Sequence, residues 1–166
     1  VAEAPQVRRS LRPGDLGEIV ALHGRLYATE YGLSPLFESD LAAGIARAVE
    51  AGWPESNGGV WLADHEGRVA ASMAVTFESE QEARLRWVVV DPALRGQGLA
   101  RRMLSEVVET TAASGRTLIS FDTFSELTTA ARMYREAGFA VTEERPWTRW
   151  GRELTLQRYE RRSGRA

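Results

Sequence analysis

Residues 86–104, Arg-Trp-Val-Val-Val-Asp-Pro-Ala-Leu-Arg-Gly-Gln-Gly-Leu-Ala-Arg-Arg-Met-Leu, constrain this chain more than any other stretch of it. A β-branched strand stops at Asp91-Pro92, and a short turn leads to Arg95-Gly96-Gln97-Gly98. An amphipathic helix then places Leu99, Met103, Leu104, Val107 and Val108 on one stripe. A strand that feeds a glycine turn at a helix N-terminus is suited to phosphate. Glycine lets the backbone approach closely, and the first N–H groups and the helix dipole favour negative charge. The plain alternative is a strand-to-helix turn with no ligand.

The other elements can be read around this unit. A strand is expected near Val7–Leu11, ending at Arg12-Pro13-Gly14. Asp15 is placed to cap a helix, with Glu18 closing a capping box. Gly32 breaks that helix, and Ser34-Pro35 opens a second one through about Ala51. Strands follow at Gly59–Ala63, Arg68–Phe77 and about Ala83–Val90, the last entering the glycine turn. After its helix come a strand at Thr117–Asp122, a helix from about Glu126 to Ala137 stopped by Gly138, and strands at Phe139–Glu144 and Arg152–Tyr159. The order β-α-α-β-β-β-α-β-α-β-β predicts an α/β fold, a mixed, mostly antiparallel central sheet flanked by helices. One domain over residues 7–160 is expected, with 1–6 and 161–166 as tails.

Composition excludes several chemistries. There is no cysteine, which removes disulfides, thiolate metal sites and a cysteine nucleophile. His23 and His65 are the two histidines, too few for a histidine zinc site, so no metal is expected. A formal charge of −2 provides no domain-wide basic field for nucleic acid. No apolar run or signal peptide points to a membrane, so a cytoplasmic protein is expected. A first residue Val1 suits a processed or excised piece of a longer chain. Two phosphate readings also fail. A P-loop needs a lysine after its second glycine, and the chain has none. A dinucleotide fingerprint needs a third small residue where Arg101 stands.

The remaining pattern resembles the GNAT superfamily of N-acetyltransferases. Arg95-x-x-Gly98-x-Ala100 is similar to that family's pyrophosphate signature, Q/R-x-x-G-x-G/A. Residues 131–139, Ala-Arg-Met-Tyr-Arg-Glu-Ala-Gly-Phe, resemble its second signature, a helix carrying a tyrosine and ending in Gly-Phe. The stretches Tyr27–Gly32 and Trp150–Leu154 are further similar to bacterial acetyltransferase domains found alone or fused to MarR-type regulators. One departure is that many members carry an asparagine shortly before the tyrosine, where this chain has Glu126-Leu127-Thr128-Thr129.

The resemblance implies an acetyl-CoA-dependent N-acetyltransferase acting by direct transfer to a primary amine of a small molecule or peptide. It implies that N–H groups from Arg95, Gly96, Gln97, Gly98, Leu99 and Ala100 hold the pyrophosphate. Val88, Val89 and Val90 would bond the pantetheine arm like an added strand. Arg101 and Arg102 could reach a phosphate or simply face solvent. Tyr134 is implied as general acid, although its stripe with Leu127, Ala130 and Ala131 equally suits core packing. Glu82 is a candidate base, with a surface ion pair as the plain alternative; Glu78 and Glu80 are rivals. His23 reads as a packing residue on its helix stripe. Tyr27, Tyr31, Trp147 and Trp150 fall where the family borders its acceptor groove, or they are lids over the core. Many relatives are dimers, so a homodimer is open. A non-catalytic acyl-CoA-binding or regulatory module is the competing reading.

Overall fold

The computed structural model describes residues 3–164. Its elements are β1 (Val7–Arg8), α1 (Asp15–Tyr31), α2 (Pro35–Glu50), β2 (Gly58–His65), β3 (Arg68–Phe77), β4 (Glu82–Val90), α3 (Leu99–Ala113), β5 (Leu118–Phe124), α4 (Thr128–Glu136), β6 (Ala140–Trp147) and β7 (Leu154–Arg162). The element order is the expected one. The strands form a single sheet in the order β1-β2-β3-β4-β5-β7-β6, in which only β4 and β5 run parallel.

The sheet separates two cores. On one face Met103, Leu104 and Val107 of α3 and Met133 and Tyr134 of α4 pack with Trp61, Met73, Leu85, Phe121 and Tyr159. On the other, Ile19 of α1 and Ile45 of α2 pack with Trp53, Val60, Leu62, Ala74 and Trp87. A third cluster, built on Leu33, Phe124, Leu154 and Leu156, closes the end of β5 and β7.

Several boundaries differ from the sequence reading, each for a local reason. Gly14, at φ +91°, occupies the N-cap position of α1 and offers no side chain. Asp15 is instead the first helical residue. It accepts two bonds from the Arg8 guanidinium, at 2.6 and 2.8 Å, and one from the Arg12 N–H at 2.6 Å. Glu18 does not close a capping box, because its carboxylate accepts the Val69 N–H at 2.6 Å and ties α1 to β3. The Ser34 expectation holds, with its hydroxyl accepting the Leu36 N–H. The last helix starts at Thr128 rather than Glu126, since Ser125 donates to the Thr155 carbonyl and Glu126 pairs with Arg152. Strand β7 reaches Arg162, which lies opposite Leu118, so the first residues of the expected C-terminal tail belong to the sheet.

Strand β4 contains the feature that shapes the rest. Ala74 lies opposite Arg86 and Ser72 opposite Val89, leaving Trp87 and Val88 to face Met73 alone. This is a β-bulge, with Trp87 at φ +49°. The extra residue shifts the alternation. Ala83 and Leu85 before the bulge, and Val88 and Val90 after it, pack on the α3/α4 face, while Trp87 joins the α1/α2 core.

Burial works against ionisation of Asp15, but the hydrogen bonds from Arg8 and Arg12 hold its pKa below the ordinary carboxylate range. A depressed carboxylate stabilises the fold above its unfolded pKa of about 4, and that stability is lost as pH falls through the folded value. Asp15→Asn is therefore expected to lose about 2 kcal/mol near neutral pH. In denaturant titrations its gap from the parent chain should close as the pH is taken below about 4.

Candidate active site

The strand-to-helix turn is built by local bonds. The Asp91 carboxylate accepts the Ala93 N–H at 2.8 Å, and Pro92–Leu94 form one 3-10 turn. Gly96 and Gly98 both have positive φ, +75° and +74°. That conformation is open to glycine at little cost, which is why the turn carries two of them. The first backbone bond of α3 runs from the Arg102 N–H to the Gly98 carbonyl at 3.0 Å. Among the described residues, the N–H groups of Gly96, Gln97, Gly98, Leu99, Ala100 and Arg101 have no acceptor. No acidic residue sits in the first turn of α3 to offset its positive end. The Arg95 N–H is already bonded to the Pro92 carbonyl, so the run of unpaired N–H groups begins one residue later than the expected one.

Strands β4 and β5 pair only from Glu82 to Arg84 against Leu118 to Ser120. Beyond this point β5 follows β7 through Phe124, and a fork opens beside Leu85–Val90. The Asp91 N–H donates to the Ala70 carbonyl at 2.7 Å, which makes Val89 and Ser72 a mutually bonded pair. Val89 is thus committed to the β3 ladder, and its expected role toward the pantetheine is withdrawn. Val88 and Val90 turn their polar groups into the fork. The Val88 carbonyl accepts the Tyr27 hydroxyl at 3.3 Å, and the Val90 carbonyl accepts Arg95 Nε at 3.0 Å. Arg95 also pairs with Glu30 at 2.7 Å, so its guanidinium braces α1 against the end of β4.

Tyr134 packs in the core, as one of its two sequence readings expects. Its ring is buried against Phe121, with centroids 4.4 Å apart, and touches Phe139 and Tyr159. Its hydroxyl makes no hydrogen bond to the described residues, yet it is not among the sealed, unpartnered polar atoms of the interior. Burial first, then the nearby Tyr27 and Tyr159, push its pKa well above the ordinary phenol value. It is therefore protonated at neutral pH and able to donate.

Glu82 is not placed to act as a base at the fork. It accepts from the Ser120 hydroxyl and from Arg158 at 3.1 Å, and these partners, the Ser120 bond foremost, hold its pKa down despite some burial. It also lies at the closed end of the β4–β5 pair, six residues before Val88, or about 20 Å along the strand. The sequence missed that its partner comes from β7. The carboxylates closer to the fork are paired as well: Glu30 with Arg95, Asp122 with Arg84 at 2.9 Å, and Glu126 with Arg152 at 2.8 Å. His23 is buried in α1 with Nδ1 against the Ile19 carbonyl, and burial pushes its pKa down to about 4. It packs neutral against Tyr27.

The four aromatic residues singled out in the sequence do come together. Tyr27 stacks on Phe37 at 4.7 Å, Tyr31 meets Phe124 edge-on at 5.2 Å, and Phe37 meets Trp150, which touches Trp147. Phe37 and Phe124 belong to this wall and went unnoticed in the sequence, where neither stands in a recognisable motif. Trp150 is fixed by its indole N–H on Asp40 at 2.9 Å. A cavity of about 460 Å³ opens beside the wall, lined by Glu126, Trp147, Arg152 and Leu154 among others. Arg101, expected near a phosphate, pairs with Glu136 and ties α3 to α4. Arg102 donates to the Pro5 carbonyl.

A sheet forked at its centre leads along one arm to a run of unpaired backbone N–H groups at a helix N-terminus, an arrangement suited to an extended ligand that carries phosphate. Comparison with known proteins agrees. An Acetyltransferase (GNAT) domain model matches residues 56–141, more than half of the chain, and the chain belongs to that family. It is an acetyl-CoA-dependent N-acetyltransferase. Its fold is similar to an acetyltransferase from Streptococcus agalactiae, at TM-score 0.76 and 19% identity, covering 98% of this chain and 100% of that one. It is also similar to a GNAT family acetyltransferase from Elizabethkingia anophelis with acetyl-CoA bound, at TM-score 0.65 and 13% identity over 98% and 100%. A third likeness is to the ribosomal-protein-S18-alanine N-acetyltransferase of Escherichia coli, at TM-score 0.68 and 19% identity over 97% and 96%. No curated protein matches by sequence. Among the described residues, no helix is long and apolar enough to cross a membrane.

The ion pair of Glu82 gives a direct check on its assignment. Glu82→Gln should lower the thermal midpoint and leave kcat within about threefold of the parent. A loss of kcat beyond a hundredfold with the midpoint unchanged would restore it as a base.

Proposed function

We propose that this chain transfers acetyl groups directly to a primary amine of a small molecule or peptide, with Tyr134 as general acid. The observation that carries this reading is a continuous path. The free N–H groups of Gly96–Arg101 lead to the Val90 and Val88 carbonyls, and the fork beyond them is flanked by Tyr27 and Tyr134. Absence of cysteine suits a route without an acyl-enzyme.

The residues fit acetyl-CoA, whose thioester supplies the activated acetyl group. Gly96–Arg101 would hold the pyrophosphate through backbone N–H groups and the dipole of α3. Val88 and Val90 would pair with the amide-bearing arm as β4 would with another strand, once Tyr27 and Arg95 yield their carbonyls. Tyr134, kept protonated by burial, would give its proton to the departing sulfur. An amine with pKa about 10.4 must shed a proton before it attacks. No side chain near the fork is an unpaired base, so water in the open groove takes that proton. The acceptor enters along the wall of Tyr27, Tyr31, Trp147 and Trp150. A cytoplasmic setting, and action as a monomer or homodimer, complete the reading.

Acetyl-CoA should raise the thermal midpoint of the chain, while NAD should not. Tyr134→Phe should lower kcat at least tenfold in a thiol-release assay and change the acetyl-CoA Kd less than threefold. Unchanged turnover would leave Tyr134 a core residue only.

A further inference from the structure

The face of β4, β5, β7 and β6 that looks toward α2 carries a group of partly buried charged side chains beside the apolar cluster of Phe124, Leu154 and Leu156. Alternation sends Ile119, Phe121 and Tyr159 into the opposite core. It leaves Arg84 and Arg86 of β4, Asp122 of β5, Arg158 of β7 and Arg145 of β6 on this face. Helices α1 and α2 pack over β3 and β4, and no residue of β5, β6 or β7 enters their core. The face runs into the fork and the aromatic wall.

Its charges are unequally satisfied. Arg158 pairs with Glu82 at 3.1 Å and Glu160 at 3.2 Å. Arg84 pairs with Asp122 at 2.9 Å. Arg86 and Arg145 make no hydrogen bond to any described residue. Arg145 stands 3.5 Å from Asp122 Oδ1, and Arg86 reaches no acid closer than Glu78 at 3.8 Å. Yet Arg86 is held in place: its guanidinium lies over the Trp87 ring, 5.0 Å from the centroid. Gly44 of α2 makes room for it, because a Cβ there would stand 3.1 Å from Arg86 Nη2. A glycine inside a helix is unfavourable, and here it admits a cation whose nearest acid, Glu78, stands beyond hydrogen-bond distance. Burial, together with the charges of Arg84 and Arg47, pushes the Arg86 pKa down, so an incoming anion would relieve it.

We infer that the acceptor amine also carries a carboxylate, separated from the nitrogen by a few bonds, and that Arg86 binds it. This rests on the reading of the fork as the acetyl-transfer site. A guanidinium offers a planar pair of donors that matches a carboxylate. Arg86 lies two residues before Val88 on β4, so an anion bound there leaves the amine end of the acceptor free to extend toward the fork.

The test is thiol release from acetyl-CoA with 4-aminobutyrate, L-glutamate and L-methionine, each against its amide, and with putrescine. At least one acid should exceed its amide tenfold or more in kcat/KM. Arg86→Met should bring that ratio to within about threefold of one, and Arg86→Lys should keep part of it. Gly44→Ala, which crowds the guanidinium, should lower the ratio if Arg86→Met does not fold. Folding of every variant is read from its acetyl-CoA thermal shift. Amides or putrescine used as well as the acids would overturn the inference, as would a ratio that survives in the folded variants. No thiol release with any of these amines overturns it too; the proposed function falls with it only if acetyl-CoA gives no thermal shift.

Discussion

The site depends on one extra residue in β4. Because Trp87 and Val88 together oppose Met73, the alternation of the strand reverses at the point where β5 leaves it. Without the bulge, Val89 would look into the fork and Val88 and Val90 would be spent on the β3 ladder. With it, two carbonyls face the fork, and the strand still ends in the Asp91-Pro92 stop that sets the glycine turn. The bulge is held on both sides. The Ser72 hydroxyl donates to the Trp87 carbonyl, and the Trp87 ring packs edge-on against Trp53 at 4.9 Å. A tryptophan at positive φ is strained, and this packing is what sustains it.

The second constraint is the departure of β5. Its seven-residue register with β7 outlasts its three-residue register with β4, so the strand follows its antiparallel neighbour away from the parallel one. The gap that results is lined on one side by backbone and on the other by rings. Acidic residues around it are spoken for by arginines: Glu30 by Arg95, Asp122 by Arg84, Glu126 by Arg152. Such pairs fix side chains more than they stabilise the fold, since most are partly exposed. Their effect is to leave none of these carboxylates as an unpaired base at the fork.

What was legible in the sequence was whatever local chemistry dictates. Asp91-Pro92, Gly96 and Gly98 announced the turn, and Gly138-Phe139 announced the end of α4. Tyr27, Tyr31, Trp147 and Trp150 were identified from two distant segments and meet in one wall. Features set by long-range pairing stayed hidden. The run Arg86–Val90 reads as an unbroken strand, so nothing marked the bulge or the loss of Val89 to β3. Alternation places Glu82 with Arg84 and Arg86 on one face of its own strand, but its partners Ser120 and Arg158 come from β5 and β7. Asp15 has the residue type and spacing of a cap, but Gly14 takes that position and Asp15 turns its carboxylate to Arg8 and the Arg12 N–H.

Val88, Val90 and the turn Gly96–Arg101 are proposed to form one binding track. Amide hydrogen exchange with and without acetyl-CoA tests it most directly. Slowed exchange is expected at the Val88, Val90 and Gly96–Arg101 amides, and no added protection at Val89, whose N–H already serves the ladder. Protection at Val89 but not at Val88 and Val90, or none within Gly96–Arg101, would contradict it.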